Sequence, residues 1–155
     1  MKEYLNDPEA TATALTHDGY FCTGDVGRLD PRRHLFVEGR GSDAIMKGLY
    51  TFYPGWLEER LRTCPGVLDA IIVGIPDPHV LEELCACLIL ESEYVTVEQV
   101  RKFVEQEIIS DDGDLLSPRP RYYLRFDSFS KTASVKPRRK SIKEQATERV
   151  LASGA

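Results

Sequence analysis

The stretch VLDAIIVGIPDPHVLEELCACLILE, Val67 to Glu91, holds two nearly continuous apolar runs. The first is VLDAIIVGIPD, Val67 to Asp77, closed by Gly74 and Pro76; the second is LCACLILE, Leu84 to Glu91. Apolar runs of this length, bounded by turn formers, read as buried strands. The link PHVLEE is short and permits antiparallel pairing. A buried strand pair is therefore the centre from which the rest of the chain is read.

Downstream, TVEQVRKFVEQEII predicts a helix. Thr96 and Gln99 have the spacing of a capping box, and Val97, Val100, Val104 and Ile108 form an apolar stripe. SDDGDLLSPRPR, residues 110 to 121, is a loop rich in turn formers. YYLRFDSF predicts a third strand, and the tail from Pro137 a last helix. Upstream, YPGWLEERLRTCPGV opens a helix at Pro54, a residue favoured at the first helical position. Leu57 and Leu61 share one face, and Pro65 and Gly66 stop it. VGRLD (Val26 to Asp30) and HLFVEGR (His34 to Arg40) flank the turn PRR and read as a β-hairpin. The whole predicts an α+β fold: an N-terminal β-hairpin and hinge segment, then a small three-stranded sheet with packed helices.

Composition bounds the function. The 155 residues suit one domain, or a small domain plus a piece of another. Apolar residues at 42% and charged residues at 29% fit a globular protein, and a net charge of −5 does not advertise nucleic acid. No apolar run reaches the length of a membrane span, and the start MKEYLNDPEATATAL has no apolar signal segment, so an intracellular protein, of cytoplasm or mitochondrion, is expected. Met1 to Asp25 offers little core and reads as the end of something larger. Cys22, Cys64, Cys85 and Cys87 form no CxxC pair, no metal site is expected, and buried reduced thiols are the better reading. Cys85 and Cys87 fall on one face of a strand.

Four blocks carry candidate chemistry. In DGYFCTGDVGRLD, the turn Thr23-Gly24-Asp25 exposes a carboxylate that can accept hydrogen bonds from two vicinal hydroxyls; alone, an aspartate in a glycine turn is more often a turn former. VEGRGSDAIMKGLYTFYP sets Arg40 and Lys47 around a glycine-rich bend, a hinge or a plain loop. VGIPDP is structural on its face. SKTASVK ends in Lys136, which can neutralise a phosphate or be one more charge in the basic run Lys136, Arg138, Arg139, Lys140, Lys143. Such a run also raises a nucleic-acid patch, disfavoured by its shortness, its lack of aromatics and the acidic chain.

In this order the blocks YLNDPEATATAL, HDGYFCTGDVGRLD, GRGSDAIMKG, IVGIPDP and FSKTASVKPRR resemble the adenylate-forming superfamily, most closely medium- or long-chain acyl-CoA synthetases. The resemblance covers nearly the whole chain. It implies that residues 1–38 are the tail end of the large AMP-binding domain and residues 39–155 the C-terminal lid domain. It implies a two-step ligase using ATP, CoA and Mg²⁺: an acyl-adenylate forms from a carboxylic acid and ATP, then CoA displaces AMP. By that resemblance Lys136 is catalytic, Asp25 with Thr23 and Arg40 holds the nucleotide ribose, Gly39 is the hinge, and Lys47 to Leu49 line the CoA path. Small-molecule substrates and the missing N-terminal domain would be its partners, and the isolated chain is expected to be inactive. Leu49, Leu81 and Val135 stand where the family usually has glycine, and Pro137 where it often has an aliphatic residue. Those departures motivate an alternative, a non-catalytic binding module derived from the lid.

Overall fold

The computed structural model describes residues 1–108, 117–132 and 135–153. Two compact units divide the chain, Met1–Ser42 and Asp43–Ala155. Part of the expected loop 110–121, and Ala133 and Ser134 of the KTASVK block, lie outside the described residues.

The first unit opens with helix α1, Pro8–Ala14, an element the sequence reading missed. Asp7 caps it, its Oδ1 accepting from the Ala10 N–H at 2.9 Å, and Pro8 supplies the preset φ of a first turn. Strands β1, Asp25–Leu29, and β2, Leu35–Arg40, pair antiparallel as the predicted hairpin. The turn between them is closed twice by backbone: Arg33 N–H to Asp30 O at 2.9 Å and Asp30 N–H to His34 O at 3.1 Å. The Asp30 carboxylate accepts from the Arg32 and His34 N–H groups, each at 2.8 Å. Arg33 has φ +66°, the left-handed position that ends a type I turn of this kind. No side chain of this unit is fully buried, as the sparse apolar content of the first 25 residues foretold.

The second unit carries the core. After a 3-10 turn, Gly41–Asp43, come β3, Ile45–Lys47, and β4, Tyr50–Phe52, joined by the two-residue turn Gly48-Leu49. Gly48 takes φ +61°, the first position of a hairpin turn where glycine is favoured. Helix α2 spans Gly55–Leu61. Strands β5, Val67–Asp77, and β6, Leu81–Leu90, pair antiparallel along their length, as expected. Helix α3, Val97–Phe103, is opened by the expected Thr96/Gln99 capping box and passes into a π-helical turn, Val104–Ile108. Strand β7, Tyr122–Arg125, lies parallel on β6, and α4, Arg139–Ala152, ends the unit.

The three expected strands are β5, β6 and β7, but the sheet is wider: β3 and β4 extend it to five strands through the single register pair Lys47↔Leu81. The GSDAIMKGLYTF segment read as a bend because three-residue strands give no periodicity to count. Both sheet faces are covered. Leu57, Leu61, Ile72, Leu84, Ala86, Leu88, Val100 and Val104 pack on one side. Ile71, Val73, Ile75, Cys85, Cys87, Phe126, Ile142, Ala146 and Val150 pack on the other, beneath α4. The alternation of β5 and β6 residues between these two sets is the period of two of a strand with both faces buried. Cys85 and Cys87 share one face as predicted; the Cys87 sulfur beside it and burial hold the Cys85 thiol far above the ordinary thiol range.

Candidate functional site

Three of the predicted residues meet on the first unit. Gly24, at φ +77°, turns the chain so that Gly41 N–H reaches its carbonyl at 2.9 Å. This sets Thr23 and Asp25 beside Arg40 across the hairpin, where Asp25↔Arg40 is a register pair. The Asp25 backbone N–H donates to Thr23 Oγ1 at 3.1 Å, the Arg40 Nε pairs with Asp25 Oδ1 at 3.0 Å, and its Nη1 donates to Thr23 O at 3.2 Å. Arg40 and Asp25 stay well exposed, so this is a solvent-facing acceptor–donor pair and not a structural ion pair of a core. A carboxylate oriented by a guanidinium can accept from two neighbouring hydroxyls. Gly39 lies in β2 next to Arg40, opposite Val26.

Lys47 and Lys136 lie in the second unit, in opposite circumstances. Lys47 is 5% exposed, and its Nζ bonds Glu83 Oε1 at 2.6 Å and Ser117 O at 2.9 Å. Glu83 is 3% exposed. The pair borders a cavity of about 210 Å³ lined by Lys47, Tyr50, Thr51, Phe52, Leu84 and Pro118. The ammonium is therefore consumed in anchoring the β3–β4 hairpin to β6, while the hairpin tip at Leu49 is almost fully exposed. Glu83 was not singled out from sequence; a second carboxylate at the mouth of the apolar run LCACLIL was the only signal.

Lys136 sits on a tight turn. Val135 N–H donates to Thr132 O at 2.9 Å and Thr132 N–H to Lys136 O at 2.7 Å, while Lys136 N–H reaches Thr132 Oγ1 at 3.2 Å. A bridge between Lys131 and Pro137 and the bond from Arg138 N–H to Ser130 O at 2.8 Å close its base. Val135 holds φ +65° and is exposed. Leu81, at the end of the β5–β6 turn, holds φ +69° and is exposed as well. Both positions therefore keep a backbone that glycine suits, while the side chain is branched. Leu49 does not share this property; positive φ in that turn falls on Gly48. The Lys136 ammonium makes no hydrogen bond or ion pair among the described residues and is presented to solvent.

The basic run divides by helical periodicity. Arg138 and Lys140 are exposed, whereas Arg139 and Lys143, four apart on one face of α4, turn inward to carboxylates. Arg139 pairs with Glu58 at 2.7 Å and Asp43 at 2.9 Å; Lys143 pairs with Glu82 at 2.5 Å. Glu58 and Asp43 were also missed by sequence reading, although Glu58 stands three residues from Leu61 on a face already marked apolar. Among the described residues no cluster of His, Cys, Asp and Glu is arranged to hold a metal, and no helix is long and apolar enough to cross a membrane.

Comparison with known proteins gives one family. The AMP-binding enzyme C-terminal domain matches residues 57–136, ending on Lys136. The mitochondrial medium-chain acyl-CoA ligase ACSF2 of Danio rerio is 34% identical over 152 residues, 97% of this chain and 24% of that protein. Among solved structures, the amide bond synthetase McbA of Marinactinospora thermotolerans is 32% identical with a TM-score of 0.74, covering 94% of this chain and 28% of that one. The o-succinylbenzoate CoA synthetase MenE of Bacillus subtilis, in complex with its acyl-adenylate intermediate, is 27% identical with a TM-score of 0.76, covering 92% of this chain and 28% of that one. The chain spans about a quarter of the length of the curated relatives it matches.

Proposed function

Because this chain belongs to the AMP-binding enzyme C-terminal domain family, we propose that it serves as the C-terminal part of an AMP-forming acyl-CoA synthetase, with Lys136 as its reacting cation. The observation that carries this reading is the Thr132–Lys136 turn, which presents an ammonium unpaired among the described residues at the last residue of the family match. In the first step a carboxylate attacks the α-phosphate of ATP, an acyl-adenylate forms and pyrophosphate leaves. In the second, the CoA thiol displaces AMP to give the thioester. Both reactants of the first step are anions, and an ammonium between them lowers their repulsion and stabilises the charge of the transition state. Removing one such contact costs about 3 kcal/mol, roughly a hundredfold in rate.

Residues 1–38 would belong to the tail of the large domain and 39–155 to the lid, with Gly39 as hinge. Asp25, oriented by Arg40 and Thr23, would hold the ribose hydroxyls of ATP or AMP. The Gly48-Leu49 tip, anchored by the Lys47–Glu83 pair, would face CoA. Mg²⁺ would arrive with ATP and bind no residue of this chain. The acid substrate is a fatty acid, a reading supported by the medium-chain acyl-CoA ligase name of the Danio rerio relative. The same relative, named as mitochondrial, supports an intracellular location.

The test is a chimera in which this chain replaces the corresponding C-terminal quarter of the Danio rerio ligase. Pyrophosphate release with a medium-chain acid is expected, and Lys136→Ala should lower it about a hundredfold. A chimera that folds and binds ATP but releases no pyrophosphate, before and after Val135→Gly, would support a non-catalytic lid module instead.

A further inference from the structure

Helix α4 follows the Lys136 turn with no spacer: Arg138 N–H closes the base of the turn on Ser130 O, and Arg139 begins the helix. The inward face of that helix start reaches the very beginning of the second unit. Arg139 Nε meets Asp43 Oδ2 at 2.9 Å, its Nη2 meets Glu58 Oε2 at 2.7 Å, and its Nη1 donates to Ile72 O at 3.2 Å. The other oxygen of Glu58 accepts from Ile72 N–H at 2.8 Å, so this buried carboxylate is satisfied on both sides. One turn on, Lys143 meets Glu82 Oε1 at 2.5 Å, and Glu82 Oε2 accepts from Met46 N–H at 2.8 Å. Glu82 is held close over Gly74, where an added Cβ would come within 2.7 Å of its Oε1. Two charged bridges from one helix face thus grip the segment Asp43 to Met46.

We infer that Arg139, seconded by Lys143, is a positioning residue that locks the start of the second unit, Asp43 to Met46, to the base of the Lys136 turn and so fixes the backbone from which Lys136 projects. The inference rests on the reading of Lys136 as the reacting cation. Its physical motive is distance control. A flexible four-carbon side chain delivers its charge only if its backbone is fixed, and a misplacement of about 1 Å can cost about a hundredfold in rate. The guanidinium suits the task because its planar fork engages two carboxylates and a carbonyl at once, which an ammonium cannot do.

The experiment is amide hydrogen exchange read by mass spectrometry on this chain, comparing wild type with Asp43→Asn, Asp43→Glu and Lys143→Gln. Asp43→Asn weakens one bridge and leaves the Arg139–Glu58 pair intact, so folding is preserved. Exchange should rise severalfold at residues 136–142 as well as at 43–47, and Asp43→Glu should restore both. Arg28→Gln, which breaks the Arg28–Glu38 pair of the first unit, is the control and should change neither segment. A rise confined to 43–47, with 136–142 unchanged, overturns the lock. In the chimera described above, Asp43→Asn should lower kcat severalfold with the KM for ATP unchanged, and Asp43→Glu should recover it. Coupled exchange with an unchanged kcat would overturn the positioning role. If Lys136→Ala itself leaves the rate unchanged, the catalytic reading fails, while the exchange result still decides the lock.

Discussion

The chain uses one turn twice. Asp30 to His34 and Thr132 to Lys136 are closed by the same two backbone bonds, from the fourth residue to the first and from the first to the fifth. In each the first residue's side-chain oxygen also accepts from the fifth N–H. In each the fourth residue is a non-glycine in the left-handed region, Arg33 and Val135. They differ in the fifth side chain. The His34 ring is tied back, Nδ1 to Asp30 Oδ2 at 2.9 Å. The Lys136 ammonium is bonded to nothing among the described residues. The same backbone therefore serves as a closed structural corner in one place and as a mount for a free cation in the other. What separates them is whether the first residue brings a carboxylate, which binds the fifth side chain, or a hydroxyl, which accepts from the fifth N–H.

The largest effect expected concerns a lysine that is bound. Lys47→Met leaves Glu83 buried and uncompensated and should cost about 3–5 kcal/mol of stability, read by urea unfolding. Adding Glu83→Leu should recover most of it, because an apolar pair of similar volume removes the desolvation cost. A loss below about 1 kcal/mol would mean that the pair is not what holds the hairpin. Next comes Lys136→Ala, which should cost the chimera about 3 kcal/mol of transition-state stabilisation while moving the stability of the chain by less than about 0.5 kcal/mol. His34→Ala should do neither.

A smaller effect tests whether the two turns are the same turn. Val135→Gly and Arg33→Gly should each gain about 1 kcal/mol or slightly less, relief of left-handed strain offset by the entropy of glycine. Leu81→Gly should behave alike, and Leu49→Gly, at a position without positive φ, should gain nothing. Unequal signs for Val135 and Arg33 would break the comparison.

The smallest effect is in pH. The His34 N–H bond, the His34 ring and the Arg32 N–H hold the Asp30 carboxyl below its ordinary range. A depressed folded pKa contributes stability above the unfolded value, near 4, that is lost as pH falls through the folded one. Asp30→Asn should remove that acid-limb dependence in the first turn. Thr132→Ala should shift stability by the same amount at every pH, since a hydroxyl does not titrate in this range.

Much of this was legible before any coordinates. Val67 to Glu91 declared its strand pair because its two apolar runs are bounded by turn formers and joined by a short link. Thr96 and Gln99 declared a helix start by local chemistry, and the hairpin at Pro31 by its turn residues. Lys136, Asp25 and Arg40 were legible as candidates because short ordered motifs carry them. The widening of the sheet by β3 and β4 was not, since strands of three residues show no periodicity and their hairpin joins the sheet through the single pair Lys47↔Leu81.

The sequence by itself determined the α+β class, the buried strand pair, the capped helix and the residues worth testing, since all of these follow from neighbours along the chain. Only the tertiary structure decided which lysine is free. Lys47 and Lys136 are both candidate cations in the sequence, yet Glu83 neutralises the first and nothing described meets the second. Likewise Arg139 and Lys143 left the basic run to bind Asp43 and Glu82, residues 96 and 61 positions away in the chain. Charge pairing is a matter of distance in space, and ångströms between side chains are set by the packing of β5, β6 and α4, not by their order.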